Sequence, residues 1–372
     1  MHCHLLLPDL LWPEPEDQEA YPASDAEVLA PALTALFAHA DLQRHPPQAA
    51  ESWLAQRLGL AEQRLADLRR QGEPQALAPV GDIDGGQWLC ADPIHLQLMQ
   101  EQMIVAGSEQ LALSPTEARQ LAADINQTFA DIGRLHVVTP TRWYLQLHQA
   151  HPFPAPPLSA VAGRRLSSQL PTGPAHRPLL AFLLEAQMLL HSHPLNQQRS
   201  AEGKLTANSL WLWGDSIPSS APPTPLPIDQ LWGQGPQLAG SARAQGLASH
   251  PLPTDGQHFL AHANVDQKHL LQLDVLVAAN HNDDGAAWQA ALRQLDRDWF
   301  EPLYQAWRKG RLGSLAITAS GSFGLLEWQV ERGGWWRRLR QSWQKPTPLP
   351  TLARQLASEA IPFVVTPGIP NK

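Results

Sequence analysis

The run Leu210-Trp211-Leu212-Trp213, closed by Gly214, limits the possible folds more than any other stretch of the chain. Four large apolar residues in succession, bounded by a turn residue, read as a strand buried on both faces. Such a strand belongs inside a sheet that other elements cover. Upstream, Leu179 to His191 repeats its apolar residues at helical spacing, so an amphipathic helix precedes the strand. Glu185, Gln187, His191, His193, Asn196 and Arg199, followed by Asn208 and Ser209, place many hydrogen-bonding side chains in and after that helix. Two readings stand side by side. In an open α/β sheet the ligand crevice lies at the carboxyl ends of the strands, which makes the loop from Gly214 to Pro225 a candidate rim. Alternatively, the His-Pro-Leu-Asn turn is a helix stop whose side chains cap backbone groups.

Elsewhere, strand and helix patterns alternate. Cys3 to Leu7 is a short apolar run that ends at Pro8, so a core strand would deliver Asp9 to its carboxyl end, as a site residue or simply as a strand terminator. Residues from about Asp25 to Gln71 carry helical spacing. Trp88 to Ala91 reads as a strand, and Ser114-Pro115-Thr116-Glu117 starts a helix that runs to about Ile132. His136 to Val138 and Trp143 to Leu147 follow as strands, which together suggest a small inserted α+β unit. Pro152 to Pro178 is an extended crossing. Further on, Gly235 to Leu247 is helical, Leu273 to Ala279 a strand, Ala286 to Lys309 a long helix and Ser314 to Thr318 a last strand. This alternation predicts an α/β fold, a mainly parallel sheet with helices on both faces.

Composition then excludes several function classes. At 372 residues the chain exceeds the usual single domain, so one large domain with an insertion, or two domains, is expected. A net charge of -8 argues against a nucleic-acid partner. Cys3 and Cys90 alone form neither a disulfide framework nor a four-thiolate zinc site. The opening residues lack the basic segment of a signal peptide and no apolar run reaches the ~20 residues of a membrane span, so a cytoplasmic location is the expectation. The sixteen histidines include no His-Glu-x-x-His frame, and no phosphate-cradling loop motif is present. Trp335, Trp336, Arg337 and Arg338 form a basic aromatic cluster able to dock a protein partner, or to lay arginine stems over buried indoles.

Several of these motifs together carry a resemblance. Arg142-Trp143-Tyr144, Gly173, the stretch His193-Pro194-Leu195-Asn196-Gln197-Gln198-Arg199 and the run Ala207-Asn208 through Trp213-Gly214 resemble, in order, segments of the archaeal-type cofactor-independent phosphoglycerate mutases of the alkaline phosphatase superfamily. They resemble still more the bacterial relatives called RpfE-type regulatory proteins. The resemblance extends from Asp9 to about Phe323 and implies an alkaline-phosphatase-like α/β core at 1-85 and 156-345, an inserted cap at 86-155 and a Pro-rich tail at 346-372.

The family's chemistry, as the resemblance implies it, is phosphoryl transfer by two divalent ions around a Ser or Thr nucleophile. Asp9 is the one matched metal-ligand position. Between Pro46 and Trp53 only Ser52 stands where a nucleophile would be sought. Asp283 and Asp284 are followed by Ala287 and Trp288 where the family has a histidine, and Ala319-Ser320-Gly321-Ser322 puts Ser and Gly in the places of Asp and His. The leading expectation is therefore a catalytically degenerate, regulatory protein with no metal or other cofactor. It would keep an anionic small-molecule pocket built from Asp92, Arg142, Glu185, His193, Asn196, Arg199 and Asn208. Two alternatives remain open. One is an active mutase or phosphatase holding Mn or Zn on a relocated set, Asp9, Asp283, Asp284 and His281 or His193. The other is an interaction scaffold that uses the Trp335 cluster and the Pro-rich loop.

Overall fold

A computed structural model describes residues 1-15, 29-74, 86-99, 102-165, 170-215, 225-330 and 347-359. Among them the strands are β1 (His2–Pro8), β2 (Ala40–His45), β3 (Gln87–Met99), β4 (Gln102–Ala106), β5 (Gly133–Thr139), β6 (Arg142–Leu147), β7 (Ser209–Trp213), β8 (Gln230–Trp232), β9 (Ala248–His250), β10 (Lys268–Gln272), β11 (Ser314–Ser320) and β12 (Leu325–Val330). The helices that matter below are α1 (Pro31–Ala38), α2 (Ala50–Arg57), α3 (Leu65–Gly72), α4 (Pro115–Thr128), α5 (Arg177–Ser192), α6 (Pro194–Ala201), α7 (Pro236–Gln245), α8 (Gly256–His262), α9 (Val277–His281), α10 (Gly285–Leu295), α11 (Glu301–Arg308) and α12 (Leu349–Ser358).

The chain divides into two compact units, one made of Met1–Trp53, Thr224–Gln234 and Gly246–Lys372, the other of Leu54–Pro223 and Gly235–Gln245. In the first unit seven strands run in the order β2-β12-β11-β1-β10-β8-β9. The five strands from β11 to β9 are mutually parallel, and β12 and β2 add an antiparallel edge. The expected mixed α/β fold with a mainly parallel sheet is thus what this unit shows. β1 lies between β10 and β11, paired on both sides, and its residues from Cys3 onward are all buried. Cys3, Leu5 and Leu7 point to one face, where Leu271, Leu315, Ile317 and Trp328 join them under side chains from α1, α8, α10, α11 and α12. Burial of each large side chain there stabilises the unit by roughly 1.5–3 kcal/mol. The other face is more polar: His4 bonds Thr318 through Nε2 at 2.7 Å, and the Trp53 ring of α2 packs on the His4 imidazole.

The second unit is built on an antiparallel sheet, β4-β3-β6-β5, with β7 also paired to β3. Here the structure corrects the expected placement of Leu210 to Trp213. These residues do form a strand buried at every position, yet they pair with Cys90 to Pro93 and lie outside the parallel sheet. β7, which leads to the rim expected from Gly214 to Pro225, is antiparallel to β3, and residues 216-224 of that rim lie outside the described residues.

Other differences have local causes. The strand expected at Leu273 to Ala279 does not form: β10 lies upstream, at Lys268–Gln272, and Val277–His281 is a short helix. The expected long helix is continuous from Gly285 to Arg308, with a wider turn at Asp296–Phe300 where the Asp296 carboxylate accepts the backbone N–H groups of Ala32 and Leu33. α4 starts where the sequence placed a helix start, and a capping box forms there: Ser114 accepts from the Glu117 N–H, and Glu117 accepts from the Ser114 N–H.

In the second unit α3 crosses α7 at two glycines. A Cβ on Gly240 would fall 1.7 Å from the Leu68 carbonyl oxygen, and one on Gly72 would fall 1.7 Å from the Pro236 oxygen. Only backbone fits between these helices. Gly240→Ala should lower the stability of the protein by about 2–3 kcal/mol through overpacking, measured as a shifted urea-unfolding midpoint. An unchanged midpoint would show that the two helices part without cost.

Candidate functional site

Two places compete for the role of site, and each can be built from its residues. The first is the polar stretch that leads into β7. Asn196, buried on α6, donates from Nδ2 to the Leu190 and Ala207 carbonyls and accepts the Ala207 N–H, which pins the chain on both sides of the helix. Asn208 exchanges two hydrogen bonds with the Leu96 backbone, extending the contact with β3 past the last paired residue. His193 caps α6 by accepting the Leu195 N–H at Nδ1, which leaves Nε2 to donate to Asp124 at 2.7 Å. Arg199 is almost wholly buried. Its Nε donates to the Leu205 carbonyl, Nη1 to Glu117 at 2.7 Å and Nη2 to the Leu111 carbonyl.

The remaining residues of the expected anion pocket sit in a buried charge network under α3. Asp92 accepts two hydrogen bonds from Arg69, at 2.7 and 2.9 Å, one from the Trp213 indole and one from the Trp143 N–H. Arg142 grips Glu73 through Nε and Nη2, and Tyr144 donates to the same carboxylate at 2.8 Å. The Arg69 guanidinium lies 5.1 and 5.2 Å from the ring centres of Tyr144 and Trp213. Burial alone would depress the Arg69 pKa, but the neighbouring Asp92 charge outweighs it and holds the group well above its ordinary value. Burial and the Glu73 carboxylate raise the Tyr144 phenol pKa, with the Arg69 charge opposing. Glu185 is exposed on α5, apart from this network.

Asp92, Arg142, His193, Asn196, Arg199 and Asn208 thus all have partners inside the unit, and the capping reading describes His193 and Asn196 in the His-Pro-Leu-Asn turn. A guanidinium taken out of water must have its donors matched, and Glu73, Glu117 and main-chain carbonyls already match them here.

The second place lies at the carboxyl ends of three adjacent parallel strands, where a crevice is expected in an open sheet. β11 brings Ser320 and Gly321, β1 brings Asp9, and β10 leads to Asp274. Asp9 is buried, takes φ 56°, and donates its N–H to the Ser320 carbonyl at 2.8 Å. Its Oδ2 stands 3.1 Å from His281 Nε2. The cleft beside it, lined by Asp9, Leu10, Glu14, Ser320, Ser322 and Phe323 among others, has a cavity volume of about 10 Å³, room for about one water. Of the other expected ligands, Asp283 accepts the Trp12 indole N–H at 3.1 Å, and Asp284 caps α10 by accepting the Ala287 N–H. Ser52 lies within α2. Desolvation, with the Glu51 and Asp9 charges adding to it, raises the Asp274 pKa against the Gln272 hydrogen bond. The Asp274 carboxyl is thereby pushed up to about 6.

The divalent ions implied by the resemblance can be tested against this donor set. Among the described residues no three His, Cys, Asp or Glu side chains gather closely enough to hold an ion. Asp9 faces His281, Asp283 accepts the Trp12 indole N–H and Asp284 caps α10. The donors do not fit a two-ion centre. The Trp335, Trp336, Arg337 and Arg338 cluster lies outside the described residues. No helix among the described residues is long and apolar enough to cross a membrane.

The partners Arg69, Glu73, Glu117 and Asp124 escaped the sequence reading. Arg69 and Glu73 carried one usable signal: two opposite charges four apart at the end of an amphipathic helix, next to apolar Leu65 and Leu68.

Comparison with known proteins gives short sequence matches. No family model matches the chain. It is 37% identical over 54 residues to a probable 2,3-bisphosphoglycerate-independent phosphoglycerate mutase of Geobacter sulfurreducens, 14% of each chain. It is 36% identical over 62 residues to a 2,3-bisphosphoglycerate-independent phosphoglycerate mutase of Methanothrix thermoacetophila, 17% of this chain and 16% of that one. The matches thus span only 14% to 16% of the length of these curated relatives. Among solved structures it is similar to a cofactor-independent phosphoglycerate mutase from Thermoplasma acidophilum, with 18% identity, 90% of each chain covered and a TM-score of 0.39. A protein from Pyrococcus horikoshii is similar over 89% of this chain and 88% of that one, with 15% identity and a TM-score of 0.44.

Two measurements check the structural roles assigned above. Asp92→Leu leaves Arg69 buried without its carboxylate and should cost about 3–5 kcal/mol, read by urea unfolding; near-neutral stability would mean that the network is loosely held. Burial acts to raise the Glu117 pKa, but the Ser114 N–H, the Arg199 guanidinium and the Ser114 hydroxyl outweigh it and hold the group at about 2. Its contribution to stability is therefore complete above its ordinary value of 4.5 and is lost as the pH falls toward about 2. In Glu117→Gln this acid-dependent loss should shrink, and thermal melts across that range will show whether it does.

Proposed function

We propose that this chain is a phosphoglycerate-mutase-like protein that carries out no two-metal phosphoryl transfer and works as a cytoplasmic regulator of the RpfE kind, through binding. One observation carries the reading: among the described residues no three His, Cys, Asp or Glu side chains gather closely enough to hold an ion. Asp9 pairs with His281, Asp283 holds the Trp12 indole and Asp284 caps a helix. A divalent ion gives up its water only to a dense set of anionic and imidazole donors. A site with one carboxylate and one imidazole at its centre lacks that set. The short matches to phosphoglycerate mutases support the mutase-like part of the reading. The Glu73 and Glu117 carboxylates already facing Arg142 and Arg199 favour a macromolecular partner over a small anion as what the protein binds.

The test combines metal analysis by plasma mass spectrometry on protein purified without chelator with an assay for interconversion of 2- and 3-phosphoglycerate, with and without added Mn. No stoichiometric Mn or Zn and no turnover are expected. Two tightly bound ions together with turnover would overturn the proposal.

A further inference from the structure

The outer strands of the parallel sheet gather around one tryptophan. β8 presents Trp232, whose indole Nε1–H donates to Nδ1 of His269 on β10 at 3.1 Å, and the other ring nitrogen of His269, Nε2, lies 2.9 Å from the Asn264 carbonyl oxygen. The His250 ring of β9 lies against Trp232 with ring centres 4.6 Å apart, and Phe259 of α8 meets both the Trp232 and the His269 rings edge-on at 5.5 Å. His250 in turn donates Nε2–H to Gln230 Oε1 at 2.7 Å. His269 itself is 1% exposed.

These partners dictate the state of the His269 ring. An indole N–H can only donate and a carbonyl oxygen can only accept, so Nδ1 is bare and Nε2 carries the proton. The ring is therefore neutral, with both nitrogens in use. An imidazolium would turn Nδ1 into a second donor facing the indole N–H and would place its charge among aromatic rings. The surroundings give such a charge little help. Asp229, the acid that favours it, is exposed and already accepts the Lys268 N–H at 2.8 Å, while the Met1 ammonium and His250 oppose it. Cys3, beside His269 in the register of β1 and β10, is kept a neutral thiol by burial. At α8, Asp255 is paired with His258 at 2.9 Å and His262 bonds the His258 carbonyl. Desolvation is the largest influence on His269, and although the Asn264 carbonyl favours the charged form, the pKa lies below its ordinary 6.5.

We propose that His269 is a proton sensor for this edge of the sheet: uptake of a proton at Nδ1 ends the Trp232 hydrogen bond and weakens the hold of β8 on β10. The inference stands apart from the binding role proposed above, since neither metal content nor turnover enters it. A histidine whose pKa is lower in the folded than in the unfolded chain adds stability that is complete above 6.5 and is lost as the pH falls through the folded value.

The experiment is an NMR titration of the full chain with isotope-labelled histidine and tryptophan, from about pH 8 to pH 5. Trp232 is identified by its contacts with the His250 and His269 rings, and His269 by its contact with the Phe259 ring. The His269 proton should sit on Nε2, and its titration midpoint should lie below 6.5. As the pH falls through that midpoint, solvent exchange of the Trp232 indole proton should quicken about fivefold relative to the other buried indoles, as befits the loss of one hydrogen bond. Trp232→Phe keeps a ring in the seat and removes only the donor, so the His269 midpoint should rise toward 6.5 in that variant. A proton on Nδ1, a midpoint at or above 6.5, or Trp232 exchange that merely tracks the other indoles would each overturn the proposal, and so would a midpoint unmoved by Trp232→Phe. The first three readings need only the unsubstituted chain, so a Trp232 variant that fails to fold leaves the proposal open to refutation.

Discussion

A parallel strand that is hydrogen-bonded on both sides has to end, and where β1 ends decides the character of the crevice. Pro8 offers no N–H to continue the ladder, and the next residue turns into the left-handed region with a buried carboxylate. That carboxylate needs compensation, because an isolated buried charge is among the most costly things a fold can contain. In a two-ion enzyme the metal would supply it. Here His281 stands opposite, and everything after Asp9 follows from that choice: once α9 is drawn in to present the imidazole, Asn280 and Asp283 come within reach of the main chain of Leu11 and the indole of Trp12.

The antiparallel unit solves the same problem on a larger scale. Asp92 and Glu73 would each be a liability beneath α3, yet Arg69, Arg142, Tyr144 and two tryptophans satisfy them with near-complete geometry. Networks of this type add little net stability over an apolar core of equal volume, but they tolerate few alternative arrangements. They fix how α3 sits over β3 and β6, and the glycine crossing in turn fixes where α7 sits over α3.

How much of this was legible follows the range of each interaction. The strand that delivers Asp9, the helix start at Ser114 and the buried run at Leu210 to Trp213 depend on residues a few positions apart, and each formed as read. β2 escaped because its residues, Ala-Asp-Leu-Gln-Arg-His, lie at an edge, mostly exposed, and so lack the alternation of a half-buried strand. The sheet that β7 joins depends on its pairing with Cys90 to Pro93, about 120 residues away, and local pattern carries nothing about that. The polar candidates fared likewise. Asn196, Arg199 and Arg142 were visible as donors, while the acceptors that claim them, at Ala207, Glu117 and Glu73, became neighbours only through the tertiary fold.

The discontinuity of the parallel unit bears on the order in which the molecule can be built. β1 pairs His2 with Lys268 and with Ser314, so its neighbours emerge from the ribosome only after most of the chain has been made. Contacts of such long sequence separation close slowly, since the entropy of the intervening loop is lost before any pairing offsets it. The antiparallel unit, by contrast, has all five of its strands in hand once Trp213 is synthesised. During that interval the apolar residues Leu5, Leu6 and Leu7 wait without their sheet, and the nascent chain is then most exposed to aggregation and most dependent on chaperones.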